Sequence, residues 1–143
     1  MTEQTATAER LINAFANADL DAVLRDTTGD FVMEMPAAPR GAQRVITGRD
    51  DIATLVGHVT TTWKQVRLLG IDVHPLADDP SRVLAEYSLE GTNLDDSTYR
   101  NTYVTVITFD GDKISRFVEY FDPAPIVAAL EALRAHLGIT SAA

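Results

Sequence analysis

Glu119 is the residue whose type and setting point most directly to chemistry. It lies inside an apolar run, Phe117-Val118-Glu119-Tyr120-Phe121. A carboxylate on an apolar strand costs stability unless it is paired or protonated, and proteins keep such groups where catalysis or binding uses them. In a dry pocket its pKa rises, because desolvation disfavours the charged form, and it becomes a general acid or base near neutral pH. Tyr99, Asn101 and Tyr103 alternate along the preceding segment. Phenol hydroxyls can donate to a developing oxyanion, and a carboxamide can orient a carbonyl or hydroxyl. The competing reading turns Glu119 outward to pair with Arg100 or Arg116 and leaves the tyrosines as cross-strand packing.

Hairpin register separates the two readings. A three-residue Asp110-Gly111-Asp112 loop pairs Phe109 with Lys113 and Tyr103 with Glu119. Tyr99, Asn101, Tyr103 and Thr105 then share the face of Ser115, Phe117 and Glu119. A two- or four-residue loop would put Arg100, Thr102 and Val104 there instead. The first register is the one expected. Among the histidines, His58 falls at the edge of a helical apolar stripe and is a candidate second acid-base group or a solvated side chain. His74 and His136 read as surface. No histidine-carboxylate spacing and no cysteine suggest a metal site, and no cofactor is expected. Glu86 and Glu90 share a strand face toward water. Glu34, between Met33 and Met35, points away from them. The Asp19/Asp21 and Asp95/Asp96 pairs read as cap and turn residues.

These residues need a scaffold. The chain has 143 residues, 45% of them hydrophobic, which suffices for one domain with a sizeable core. There are no cysteines, which fits a reducing cytoplasm, and Met1-Thr2-Glu3-Gln4-Thr5 lacks the pattern of a signal peptide. A formal net charge of −9 argues against nucleic acid or an anionic membrane as partner. It leaves a neutral or apolar small molecule open.

The spacing predicts a helix over Ala6–Asn17 with Leu11, Ile12 and Phe15 on one face, and a short helix to about Asp26. A turn over 27–30 leads into a strand, Phe31–Met35, and residues 36–48 form a loop. A third helix begins near Arg49–Asp51 with Ile52, Val56, Val59 and Trp63 as its stripe. Four strands follow, about 65–75, 82–92, 98–109 and 113–121. Asp122-Pro123 caps a last helix with Ile126, Val127, Leu130, Leu133 and Leu137 inward. Residues 1–5 and 139–143 read as frayed tails. The order α-α-β-α-β-β-β-β-α implies an α+β fold, with helices on one face of a curved antiparallel sheet.

That order, with Tyr99-Arg100-Asn101-Thr102-Tyr103, Phe109-Asp110-Gly111-Asp112-Lys113-Ile114 and Glu119-Tyr120-Phe121-Asp122-Pro123, resembles the SnoaL-like branch of the nuclear-transport-factor-2-like superfamily. Asn17-Ala18-Asp19-Leu20-Asp21, and Met35-Pro36 followed by Gly48, also match. The superfamily includes ketosteroid isomerase, limonene epoxide hydrolase, polyketide cyclases and the phenazine-biosynthesis A/B-type proteins. The resemblance implies a cone-shaped barrel with an apolar pocket at its open end and a homodimer through the outer sheet face.

Residue by residue, the resemblance puts Met35 where ketosteroid isomerase has its catalytic base, Leu11 at its oxyanion tyrosine and Thr105 at its partner acid, so that machinery is lost. Glu119 matches the last-strand acid of limonene epoxide hydrolase, but the accompanying arginine falls on Leu84. Glu119, His58 and Thr62 match the pattern of the phenazine A/B-type proteins, with threonine replacing serine. If the fold is this one, some of Met33, Met35, Trp63 and Phe117 line the cavity.

The expected function is a cofactor-free enzyme of small-molecule, bacterial secondary metabolism. Glu119 moves a proton on a hydrophobic cyclic substrate in an isomerisation, cyclisation, condensation or epoxide opening, while Tyr99, Tyr103 and Asn101 hold its oxygen. A ligand carrier or accessory subunit is the alternative, and a purely structural dimerisation module a third.

Overall fold

The computed structural model describes residues 2–139. Four helices and six strands follow in the order α1 (Glu3–Ala16), α2 (Leu20–Asp26), β1 (Thr27–Glu34), β2 (Val45–Thr47), α3 (Gly48–Thr62), β3 (Trp63–Leu76), β4 (Asp79–Asn93), β5 (Thr98–Asp110), β6 (Lys113–Phe121) and α4 (Pro123–Leu137). Helices α1, α2 and α4 begin where side chains satisfy free amides. Thr2 Oγ1 accepts from Thr5 N at 3.1 Å, Asp19 Oδ1 from Ala22 N at 3.2 Å and Asp122 Oδ1 from Ala124 N at 3.0 Å. The Thr2 cap starts α1 at Glu3 and buries Thr5, so residues 3–5 belong to a helix and not to a tail. Residues 140–143 of the expected C-terminal tail lie outside the described residues.

The sheet runs β2-β1-β6-β5-β4-β3. It is mixed: β1 lies parallel to β6, and all other neighbours are antiparallel. The all-antiparallel expectation fails at this long-range pairing, which no local turn specifies. The sheet curves around the helices without closing into a barrel. Three further boundaries move. Residues 27–30 extend β1 instead of turning, 45–47 form the edge strand β2, and Trp63 opens β3 instead of ending the helical stripe.

The concave face carries the core. Leu11 and Ile12 of α1 pack with Phe31, Val83, Ala85, Ile107 and Phe117 of the sheet. Phe117 sits between Phe15 and Phe31, with ring centroids 5.5 and 6.5 Å away. Helix α4 differs from the expected inward helix. Ala129 and Ala132 are its buried residues, while Val127 and Leu137 are 40% and 56% exposed. Its Ile126, Val127 and Leu130 line a cavity and do not join the core cluster.

The β5–β6 hairpin turns at Gly111-Asp112, with Asp110 opposite Lys113. Gly111 supplies the positive φ of 65°. A two-residue turn alone would have placed Glu119 on the other face. A bulge at Ser115, between the Phe109–Ile114 and Thr108–Arg116 pairs, inserts one residue and restores the parity. Glu119 therefore faces Thr105, and Tyr103 faces Phe121. The register is two residues from the expected one, yet Glu119 shares the concave face with Tyr99, Asn101, Tyr103 and Thr105.

Candidate active site

A cavity of about 700 Å³ opens between the sheet, α1, α3, α4 and the 36–44 loop. Its floor is contributed by alternation along three strands. Tyr87 and Leu89 come from β4, Tyr99 and Tyr103 from β5, and Glu119 and Phe121 from β6. Met33 of β1, Met35 just after that strand, Phe15 of α1 and Trp63 of β3 complete an apolar wall.

Glu119 is half-buried, bordering the cavity but otherwise enclosed by protein. The hydroxyl of Tyr87 donates to its Oε2 at 2.5 Å, and no cation pairs with it among the described residues. Burial pushes its pKa up from 4.5 to about 7, and the Tyr87 hydrogen bond pulls the other way. Tyr87 Oη also lies 2.9 Å from Thr105 Oγ1. With the phenol proton given to the carboxylate, the threonine hydroxyl is the donor in that pair.

A second polar chain runs beside the first. Tyr103 stacks on Tyr87, with centroids 5.2 Å apart and rings 3° from parallel. Its hydroxyl is hydrogen-bonded to that of Tyr99, which accepts from Asn101 Nδ2 at 3.1 Å. Burial raises the pKa of Tyr99 to about 12 and those of Tyr87 and Tyr103 well above their ordinary value, so all three phenols stay protonated donors. Trp63 packs on Tyr99 with centroids 4.9 Å apart, and its indole N–H is buried without a partner among the described residues.

Of the residues singled out from sequence, Glu119, Tyr103, Tyr99, Met33, Met35, Trp63 and His58 line the cavity. His58 does so from the exposed side of α3. Four others do not reach it. Asn101 is buried and committed to Asp122, donating to its carbonyl at 2.8 Å and accepting its N–H at 3.3 Å. It ties β5 to the start of α4. Thr105 is fully buried behind Tyr87, Phe117 is core between two phenylalanines, and Thr62 is buried at the end of α3. The alternative pairing of Glu119 with Arg100 or Arg116 fails, because Arg116 meets Glu34 and Arg100 lies 3.8 Å from Glu90, both on the outer face. No three potential metal ligands cluster among the described residues.

Tyr87, the direct partner of Glu119, was missed from sequence. The signal was present: if Glu86 and Glu90 face water, the β4 alternation sends Ala85, Tyr87 and Leu89 to the other face. Arg40 and Arg134 also line the cavity. Neither could be found from local pattern, because only the tertiary fold brings a loop and the last helix to one opening.

A six-stranded curved mixed sheet enclosing helices, with a polar cluster on its concave face, is the nuclear-transport-factor-2-like fold. The family model of the SnoaL-like domain matches residues 8–117, and the chain belongs to that family. Solved structures agree on the fold. A candidate isomerase from Bacillus subtilis is 23% identical over 92% of this chain and 97% of its own, with a TM-score of 0.75. A candidate polyketide cyclase from Xanthomonas campestris is 20% identical over 90% and 96%, also at 0.75. TerC, crystallised with polyporic acid, is 21% identical over 93% and 99%, at 0.72. No curated protein matches the chain.

Proposed function

We propose that this protein is a cofactor-independent acid-base enzyme acting on a hydrophobic cyclic small molecule. The observation that carries the reading is a carboxyl group at the floor of an apolar cavity whose only hydrogen-bond partner among the described residues is a neutral phenol. Near neutral pH such a carboxyl is present in both protonation states, so it can take a proton from a substrate carbon or hydroxyl and return it elsewhere. Tyr87 orients it. In the neighbouring chain Asn101 donates to Tyr99, and Tyr99 can donate to Tyr103. This leaves the Tyr103 proton for a substrate oxygen on which negative charge develops. His58 stands nearer the opening as a second proton-transfer group.

A carboxyl NMR titration with Glu119→Gln as the assignment control tests the reading. A Glu119 pKa near 7 supports it. A value at or below that of a free glutamate, or full turnover by Glu119→Gln on a true substrate, overturns it. One observation favours a carrier instead. The resemblance puts Met35, Leu11 and Thr105 at the three isomerase positions, and Glu119 is the single carboxyl in the cavity wall among the described residues. A ligand bound with unchanged affinity by Glu119→Gln and recovered unaltered would establish that second reading.

We further propose a homodimer through the outer sheet face, where Val104 pairs with Tyr120 and Val106 with Val118 in an apolar stripe and Tyr120 is 47% exposed. Light scattering of the wild type against Tyr120→Glu reads this directly, because a charge there should give a monomer.

A further inference from the structure

The cavity wall is polarised. At the floor lie the protonated phenols and Glu119, which has no cation beside it among the described residues. At the opening, three groups that carry or can carry positive charge line the wall from three different elements. They are Arg40 in the 36–44 loop, His58 on α3 and Arg134 on α4. In a chain with 21 acidic and 12 basic residues, the wall holds no carboxylate other than Glu119 among the described residues. Six basic residues elsewhere are spent on ion pairs: Arg10, Lys64, Arg67, Arg82, Arg100 and Arg116. Arg40 and Arg134 make no ion pair or side-chain hydrogen bond among the described residues. Glu131, one turn before Arg134 on α4, does not pair with it.

The placement of Arg40 is built. Ala42 N donates to Pro39 O at 3.0 Å, closing a turn with Arg40 and Gly41 at its centre. Gly41 has φ of 86°, which a type II turn requires at its third residue. The loop is fastened by Met35 N to Arg44 O at 2.7 Å and by the Arg44 guanidinium to Ala38 O at 3.2 Å.

We propose that the ligand is an amphipathic carboxylate. Its apolar ring body fills the cavity, its neutral end reaches Glu119, and its anionic group is held at the opening by Arg40 and Arg134. Guanidinium forks match carboxylate geometry, and two unpaired ones at the opening offset the repulsion that a net charge of −9 presents to an anion. The substrate class rests on the cavity being the ligand site, as proposed above, and narrows it from any hydrophobic molecule to a monoanion.

Trp63 is the only tryptophan and lines the cavity, so its emission reports occupancy. The test titrates 1-pyrenebutyrate and its neutral counterpart 1-pyrenebutanol, both of which quench tryptophan by energy transfer, into wild type and an Arg40→Gln/Arg134→Gln double variant. Both arginines are exposed and make no ion pair among the described residues, so the variant should melt with the wild type. Wild type should bind the carboxylate about tenfold more tightly than the alcohol at low salt. The double variant and high salt should each erase the difference while leaving alcohol binding unchanged. Equal affinity for the two probes in wild type, or a preference that survives the double substitution, overturns the proposal with the cavity reading intact. Failure of both probes to quench Trp63 overturns the cavity reading and this proposal together.

Discussion

Glu119 and Glu90 stand on opposite faces of the same sheet. Glu90 faces outward, accepts from Arg67 at 2.7 Å and has Arg100 at 3.8 Å. The Arg67 hydrogen bond holds its carboxyl below the ordinary range. Glu119 faces inward, meets one phenol and no cation among the described residues, and is pushed up to about 7. Strand type, sheet and residue are shared; the face decides what the carboxyl can do. The outer face offers water and arginines and makes a permanent anion. The inner face withholds both and makes a proton carrier.

The largest test of that contrast is Glu119→Gln. Under the enzyme reading it should lower turnover on a true substrate by roughly 10²–10⁴, the usual contribution of a positioned general acid or base. Glu90→Gln should leave turnover within a factor of two. Equal losses in the two variants would remove the distinction between the faces.

The same substitution sharpens the contrast through stability. A carboxyl whose pKa is raised on folding binds its proton more tightly in the native state. Its contribution is complete below the unfolded value and is lost as pH rises through the folded one. For Glu119 that window runs from 4.5 to about 7. Urea unfolding across it should show the wild type losing roughly 2 kcal/mol relative to Glu119→Gln, after allowing for partial exposure of the side chain. At neutral pH and above, the variant should be the more stable protein. A pH-independent difference would place Glu119 in water.

How much of this was legible in the chain differs between face and partner. Period-two alternation put Glu119, Tyr99 and Tyr103 on one face, and the turn at Gly111-Asp112 with its bulge preserved that parity while shifting the register by two. Alternation is local, so sequence carries it. Partners are not: the β1–β6 pairing, the approach of Tyr87 to Glu119 from two strands away, and the presence of Arg40 and Arg134 in the wall of one cavity all depend on how distant segments dock. The Thr2 cap, by contrast, is a local signal, three residues before the amide-donating Thr5, and it starts α1 inside the stretch where a tail is expected.

Tyr87→Phe tests the inner cluster from its other side. Losing the phenol hydroxyl removes the one hydrogen bond that favours the ionised carboxylate, so the Glu119 pKa should rise further in a carboxyl titration. Thr105 loses its partner too, and stability should fall by about 1 kcal/mol. A downward shift would mean that a water or another donor replaces the phenol and that the cavity floor is wetter than its lining suggests.

Glu90→Gln gives the smallest effect and closes the comparison by its sign. Glu90 has a lowered pKa, so its contribution is present above the unfolded value of 4.5 and is lost as pH falls through the folded one. Its slope with pH is therefore opposite to that of Glu119. Because the pair with Arg67 is solvated, the loss of stability on substitution should be slight at low salt and vanish in about 1 M salt. The Glu119 effect should persist there, since desolvation is not screened by ions. Two glutamates on one sheet that titrate stability in opposite directions, one sensitive to salt and one not, would show that the curved sheet sorts its carboxyls by face. A salt-sensitive Glu119 would mean that an unrecognised cation reaches the cavity floor and that the inner carboxyl is a second surface anion in all but position.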